Sequence, residues 1–194
     1  TTEIYTLSLH DALPIYPSMM HSHAPLPSTA ATLVPSTVLP PVAAGHQLVA
    51  LTDALLETVL AIENVAFSHP WSPGNFTDAL RSGYHGRVLM QGDEVLGYFI
   101  AMQILDEVHL LNITVSPIHQ GQGLAHELLD ALAHWSRHTA HAQWLWLEVR
   151  ESNTRARHLY ERYGFTQVGA RKKYYPVHHG ERETAILMNL PLWP

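Results

Sequence analysis

Residues 107–139, EVHLLNITVSPIHQGQGLAHELLDALAHWSRHT, constrain the fold more than any other stretch, because they require a strand, a turn and a helix in that order. The run EVHLLNITV reads as a strand, and Ser116-Pro117 ends it, since proline lacks the N–H that a central ladder needs. From Gly123 the apolar residues recur at helical spacing, which predicts an amphipathic helix to about residue 139. Between them lies Gln120-Gly121-Gln122-Gly123-Leu124-Ala125, at the point where a helix N-terminus leaves main-chain N–H groups unpaired. Those donors and the helix dipole favour an anion, typically a phosphate. Gly121 and Gly123 permit positive φ and remove side chains that would block a phosphate's approach. Two familiar cradles are excluded. A dinucleotide fingerprint needs a third glycine where His126 stands, and a P-loop needs Gly-Lys-Ser/Thr. Read alone, the turn is either an anion cradle or a plain connector.

The rest of the chain divides in two. Residues 1–45 hold Pro14, Pro17, Pro25, Pro27, Pro35, Pro40 and Pro41 among Ser, Thr and Ala, with no helical or strand period, and are expected to form a flexible tail. Its opening, EIYTLSLHDALPI, resembles the translation of a sequencing-adapter read. That would put residues 1–18 outside the native protein and its start near Met19 or Met20; an unusual native leader is the alternative. Residues 46–194 are expected to be one domain. In it LTDALLETVLAIENVAF predicts a helix capped at Thr52 or Asp53, and HPWSPGNFTDALRSG a turn and a short second helix. RVLMQGDEVLGYFIAMQIL predicts a hairpin turning at Gln91-Gly92-Asp93, and QWLWLEV a mostly buried strand. NTRARHLYERYG predicts a helix closed by Gly164, followed by strands in FTQVGARKKYYP and ETAILMNLPL. The order implies an α+β fold with helices on both faces of one sheet.

Composition narrows the function. A formal net charge of −6 argues against a dedicated nucleic-acid binder. With no cysteine, disulfides, thiolate metal sites and cysteine nucleophiles are excluded. No Lys or Arg precedes Arg81, so neither a secretory signal nor a transit peptide fits. The apolar run LVALTDALLETVLAI is too short and too interrupted to span a bilayer. A soluble, cytoplasmic protein without membrane contact is expected. Fifteen histidines invite a metal, but the helical pair His134 and His138 lacks the Glu of a zinc-protease helix, and none is expected.

The Gln/Arg-x-x-Gly-x-Gly/Ala pattern of residues 120–125 resembles the signature of GNAT-type N-acetyltransferases, with Ala125 where many members have glycine. The segments HPWS (69–72), LDEVHLLNITV (105–115), LWLEVRESNTRARHLYERYGF (145–165) and KKYYP (172–176) match in order the bacterial ribosomal-protein-alanine N-acetyltransferases, over nearly all of residues 48–191. The resemblance implies a mixed, mainly antiparallel sheet with a splayed central strand pair. It implies that Gln120, Gly121, Gln122, Gly123, Leu124, Ala125 and His126 hold the pyrophosphate of acetyl-CoA, and that Ile113, Thr114 and Val115 pair with its pantetheine arm. Asn153 would hydrogen-bond the same arm.

Thioester aminolysis needs an uncharged amine and a protonated sulfur leaving group. Tyr160, a phenol of ordinary pKa about 10, suits the acid; a core aromatic is the alternative. Glu148 closes a run in which Trp144, Trp146 and Glu148 share a strand face, poised either as a base of raised pKa or as a solvated strand-end carboxylate. The resemblance favours the base. Trp71, Tyr174 and Tyr175 are candidates for the acceptor groove, with ordinary packing as the alternative. At pH 7 an α-amine is roughly 10–15% neutral and a lysine near 0.04%, so an α-amine saves about 3.5 kcal/mol of deprotonation. The expected activity is acetyl-CoA-dependent N-acetylation of the N-terminal alanine of a small-subunit ribosomal protein by a monomeric enzyme. Other N-termini, lysines or small amines, and a non-catalytic acyl-CoA-binding module, are the alternatives.

Overall fold

The computed structural model describes residues 42–177 and 181–193. The expected tail falls almost wholly outside them, as does the adapter-like opening.

The elements run β1 (His46–Ala50), α1 (Leu56–Ala66), α2 (Pro73–Arg81), β2 (His85–Gln91), β3 (Glu94–Ile104), β4 (Glu107–Val115), α3 (Leu124–His138), β5 (Trp144–Arg150), α4 (Thr154–Tyr163), β6 (Thr166–Pro176) and β7 (Arg182–Pro191). One sheet takes them in the order β1-β2-β3-β4-β5-β7-β6. Every neighbouring pair is antiparallel except β4 and β5. That pair is parallel because α3 carries the chain back across the sheet before β5 begins. Its ladder runs only from Glu107↔Trp144 to Leu110↔Leu147, although β4 continues to Val115 and β5 to Arg150. Beyond Leu110 the two strands part, and this is the splayed central pair.

Three features depart from the sequence reading. β1 was not expected; it is five residues long and pairs with β2 from His46↔Gln91 to Ala50↔Arg87. The structure also reaches back past residue 46: Val42 packs against the core, and the Ala43 N–H donates to Glu127 Oε1 at 2.9 Å. The first helix begins later than expected, at Leu56, after a 3-10 turn over Asp53–Leu55, and Thr52 makes no side-chain capping bond. α2 starts where Ser72 and Asn75 cap each other reciprocally and Pro73 supplies the first turn.

The sheet separates two cores. On one face α3 and α4 bury Leu128, Leu132, Leu159 and Tyr160 against Leu145, Leu147 and Val149 of β5. On the other, α1 and α2 bury Val59, Phe76 and Trp71 against Val88 and Tyr98. Because strand side chains alternate, Trp146 and Glu148 point to the α1–α2 side. Glu63 of α1 sits at the base of that second core, 1% exposed. It accepts the Trp71 N–H at 2.8 Å, the Tyr98 hydroxyl and the Asn112 amide at 3.2 Å. One carboxylate therefore joins α1, the segment before α2, β3 and β4, with Asn112 just past the point where the strands part. Burial raises the Glu63 pKa above the ordinary carboxylate range, while its hydrogen bonds oppose the shift.

Candidate active site

The glycine turn is built as an open backbone corner. Gly121 and Gly123 take φ of 82° and 83°, and Gly123 occupies the N-cap position of α3. A Cβ at either glycine would meet nothing within 4 Å, so the demand for glycine is conformational and the space in front is free. That space is a cavity of about 220 Å³, lined on this side by Val115, Gln120, Gly121, Gly123, Leu124, Ala125 and His126. Arg155, Leu159 and Arg162 of α4 form its far wall. Of the expected cofactor residues, Gln122 is exposed and does not line the cavity. Ile113 and Thr114 are buried on the splayed stretch of β4, where the Thr114 hydroxyl donates to Asn112 Oδ1 at 2.9 Å.

Valine at position 123 should disable this corner. A β-branched residue is strained at φ near +80°, so it would shift the backbone that presents the α3 amides. Gly123→Val is expected to weaken CoA binding by roughly a hundredfold or more, about 2.7 kcal/mol, in a calorimetric titration. Unchanged CoA affinity would remove the turn from the site.

At the splay, buried polar atoms lack partners among the described residues. Tyr160 is 0% exposed, and its hydroxyl makes no hydrogen bond. Burial alone pushes its pKa well above that of an ordinary phenol, which keeps the proton on oxygen. Asn153 accepts the Ala156 N–H at 3.1 Å through Oδ1 and so caps α4, while its Nδ2 is buried without a partner. The capping half of Asn153 was not foreseen; only its amide N–H groups are left for a ligand. Glu148 pairs through Oε1 with Arg171 Nη1 at 2.8 Å, and Oε2 is buried and unpartnered. Burial raises the Glu148 pKa and the Arg171 guanidinium opposes the shift. Tyr175 likewise has an unpartnered buried hydroxyl, raised by burial and then by the nearby Glu148 charge. Arg150 lies 4.5 Å above the Tyr175 ring.

A buried polar atom without a partner is costly, and native folds keep such atoms where a ligand, water or substrate completes them. Here a carboxylate oxygen, an amide nitrogen and the phenols of Tyr160 and Tyr175 meet that description. Together they suit an amine that must lose a proton and a leaving group that must gain one.

Trp71, expected to border the acceptor groove, is instead a core side chain: it is 2% exposed, and its ring meets Phe76 edge-on with centroids 5.3 Å apart. Its indole is the floor under α2. Tyr174 is half-buried beneath Arg171, whose guanidinium sits 5.4 Å from the ring centre. The sequence reading missed Arg171, Glu63, Arg155 and Arg162. The last two form one stripe with Leu159 on the helix that carries Asn153 at its cap and Tyr160. Among the described residues no three His, Asp or Glu side chains form a metal-binding group, and no helix is long and apolar enough to cross a membrane.

A sheet with one splayed parallel pair, an anion corner ahead of α3 and a buried carboxylate and phenol at the opening is the arrangement of an acyl-transfer enzyme that uses an acyl-CoA. The chain belongs to the acetyltransferase (GNAT) family, whose model matches residues 56–165. It is thus an acyltransferase that draws its acetyl group from acetyl-CoA. The ribosomal protein bS18-alanine N-acetyltransferase of Haemophilus ducreyi is 40% identical over 131 residues, 68% of this chain and 90% of that protein. The protein of the same name from Escherichia coli K12 is also 40% identical over 131 residues, 68% of this chain and 87% of its own length. The crystal structure of the E. coli ribosomal-protein-S18-alanine N-acetyltransferase superposes with a TM-score of 0.71 at 36% identity, covering 77% of this chain and 95% of that one. Spermidine N-acetyltransferase from Vibrio cholerae, at 20% identity and a TM-score of 0.66 over 77% of this chain and 97% of its own, shares the fold.

Proposed function

We propose that this enzyme acetylates the α-amine of the N-terminal alanine of ribosomal protein bS18, with Glu148 as base and Tyr160 as acid. The observation that carries the roles is a pair of buried atoms without partners among the described residues, Glu148 Oε2 on β5 past the last β4–β5 pair and the Tyr160 hydroxyl on α4. The acceptor is supported by relatives of that activity at 40% identity over two thirds of the chain.

The residues divide the work by face. The glycine turn and α3 hold the pyrophosphate on the α3–α4 side, and the splayed end of β4 with the Asn153 amide aligns the pantetheine arm. Tyr174 and Tyr175 border the acceptor on the opposite side. The amine nitrogen bonds to the thioester carbonyl carbon, Glu148 Oε2 takes a proton from that nitrogen, and the carbon–sulfur bond breaks. Tyr160 gives its proton to the leaving sulfur. Arg171 keeps Oε1 occupied, so only Oε2 is offered to the amine. Glu148 and Tyr160 regain their starting states by exchange with water as products leave. A single carboxylate suffices because the α-amine is already partly neutral at pH 7. We assign the reaction to the cytoplasm and to a monomer.

A peptide panel with the full chain and acetyl-CoA tests the acceptor. Mass spectrometry should find acetyl on the α-nitrogen of a bS18 N-terminal peptide that begins with alanine. The same peptide blocked at its α-amine should stay unmodified despite any lysine it carries. Preferred acetylation of lysine or of a polyamine would overturn the acceptor assignment, and tight CoA binding without turnover would overturn the catalytic one.

A further inference from the structure

We propose that Arg155 and Arg162 form a second phosphate site in the CoA cavity, for the 3′-phosphate on the ribose, so that the enzyme distinguishes CoA from dephospho-CoA. The proposal rests on acetyl-CoA being the donor and adds a charge-reading wall that the glycine turn does not supply.

Both arginines line the cavity opposite the turn, with Leu159 between them. Spacings of four and three residues put them on one stripe of α4, beside but distinct from the stripe that carries Asn153, Ala156 and Tyr160. Along the helix they stand about 10 Å apart, a span that two long side chains close readily across Leu159. Neither has an ion-pair partner among the described residues, whereas Arg150 and Arg171 each hold a carboxylate, Glu183 and Glu148. Nearby acids on α3 are engaged elsewhere: Glu127 holds His46 at 2.9 Å and Asp130 accepts the Tyr163 hydroxyl at 2.8 Å. In a chain of net charge −6, two exposed guanidiniums facing one cavity leave a local excess of positive charge.

The ligand's chemistry supplies the match. CoA carries a pyrophosphate, which the α3 corner can satisfy with main-chain amides, and a separate phosphate on the ribose, which those amides cannot also reach. Guanidinium forks match a phosphate in two-point geometry. The Leu159 side chain between them offers an apolar floor for the nucleoside.

Calorimetric titration of the full chain with CoA and with dephospho-CoA decides the matter. The parent enzyme should prefer CoA by roughly ten- to a hundredfold at low salt, with the preference shrinking as salt rises. The Arg155→Ser/Arg162→Ser double variant should bind both nucleotides about equally, with dephospho-CoA affinity within about twofold of the parent as evidence of an intact fold. The single variants, each expected to lose part of the preference, serve if the double variant does not fold. Equal binding of the two nucleotides by the parent, or a preference that survives in the variants, overturns the proposal while leaving the acetyl-CoA reading intact. Failure of the parent to bind either nucleotide overturns both.

Discussion

Tyr160→Phe is expected to lower the transfer rate by about 10²–10³-fold while CoA affinity stays at the parental value. The phenylalanine ring keeps the edge-on contact with Phe165, whose centroid lies 5.7 Å away, so the packing of α4 does not change. What disappears is one hydroxyl that has no partner among the described residues and is completely buried. Leaving such a group unsatisfied costs roughly 1–3 kcal/mol, so the variant should melt at the same temperature as the parent or higher. A rate loss together with equal or greater stability cannot come from misfolding. The raised phenol pKa does not disqualify the donor. A thiolate released beside Tyr160 in the same dry site bears the same desolvation, so its affinity for a proton rises too. Single-turnover kinetics and a CoA titration read the two effects separately. Parental turnover in the variant would place the acid elsewhere, and a loss of CoA affinity would make Tyr160 a packing residue.

The sequence was most legible where local rules act alone. A proline after β4, glycine at the two left-handed positions of the turn and Gly164 at the end of α4 each follow from backbone sterics, and each is found. Amphipathic α3 and the alternating β5 declared their buried faces through period 3.6 and period 2. β1 escaped because five residues carry little periodic information, even with Gly45 turning the chain just before them; it exists because the β2 edge is there to pair with. Trp71 was misplaced because an exposed-looking HPWS segment gives no hint of Glu63, eight residues earlier, accepting its N–H from inside the core. Arg171 was invisible as a partner because β6 meets β5 only across β7, a neighbour relation that local sequence does not encode. The named chemistry of the site therefore came from motif residues, and the electrostatics that tune it came from tertiary placement.

Glu148→Gln should separate catalysis from stability more sharply than Tyr160→Phe, because here the sign can be followed with pH. The Glu148 side chain is 14% exposed, and burial raises its pKa more than Arg171 lowers it. A carboxyl group whose folded pKa lies above its unfolded value favours the fold while protonated. That contribution is complete below the unfolded pKa of about 4.3 and is lost as pH rises through the folded value. At neutral pH the parent thus carries an ionised, desolvated carboxylate whose Oε2 has no partner. Glutamine removes that charge, and Arg171, 32% exposed, stays hydrated. Glu148→Gln is accordingly expected to melt above the parent at neutral pH, with the difference shrinking toward zero as the medium is acidified below the unfolded pKa. Its transfer rate should fall by about 10²-fold or more, since the buried Glu63 is occupied by the Trp71 N–H, the Tyr98 hydroxyl and the Asn112 amide and has no free oxygen to offer an amine. In the parent, kcat/KM should rise with pH through two groups: Glu148, above the ordinary carboxylate range, and the acceptor amine near 7.7–8.0. The variant should retain only the amine's limb. A variant that keeps both limbs, or that loses stability at neutral pH in step with its activity, would show that Glu148 supports the fold and that another group takes the proton.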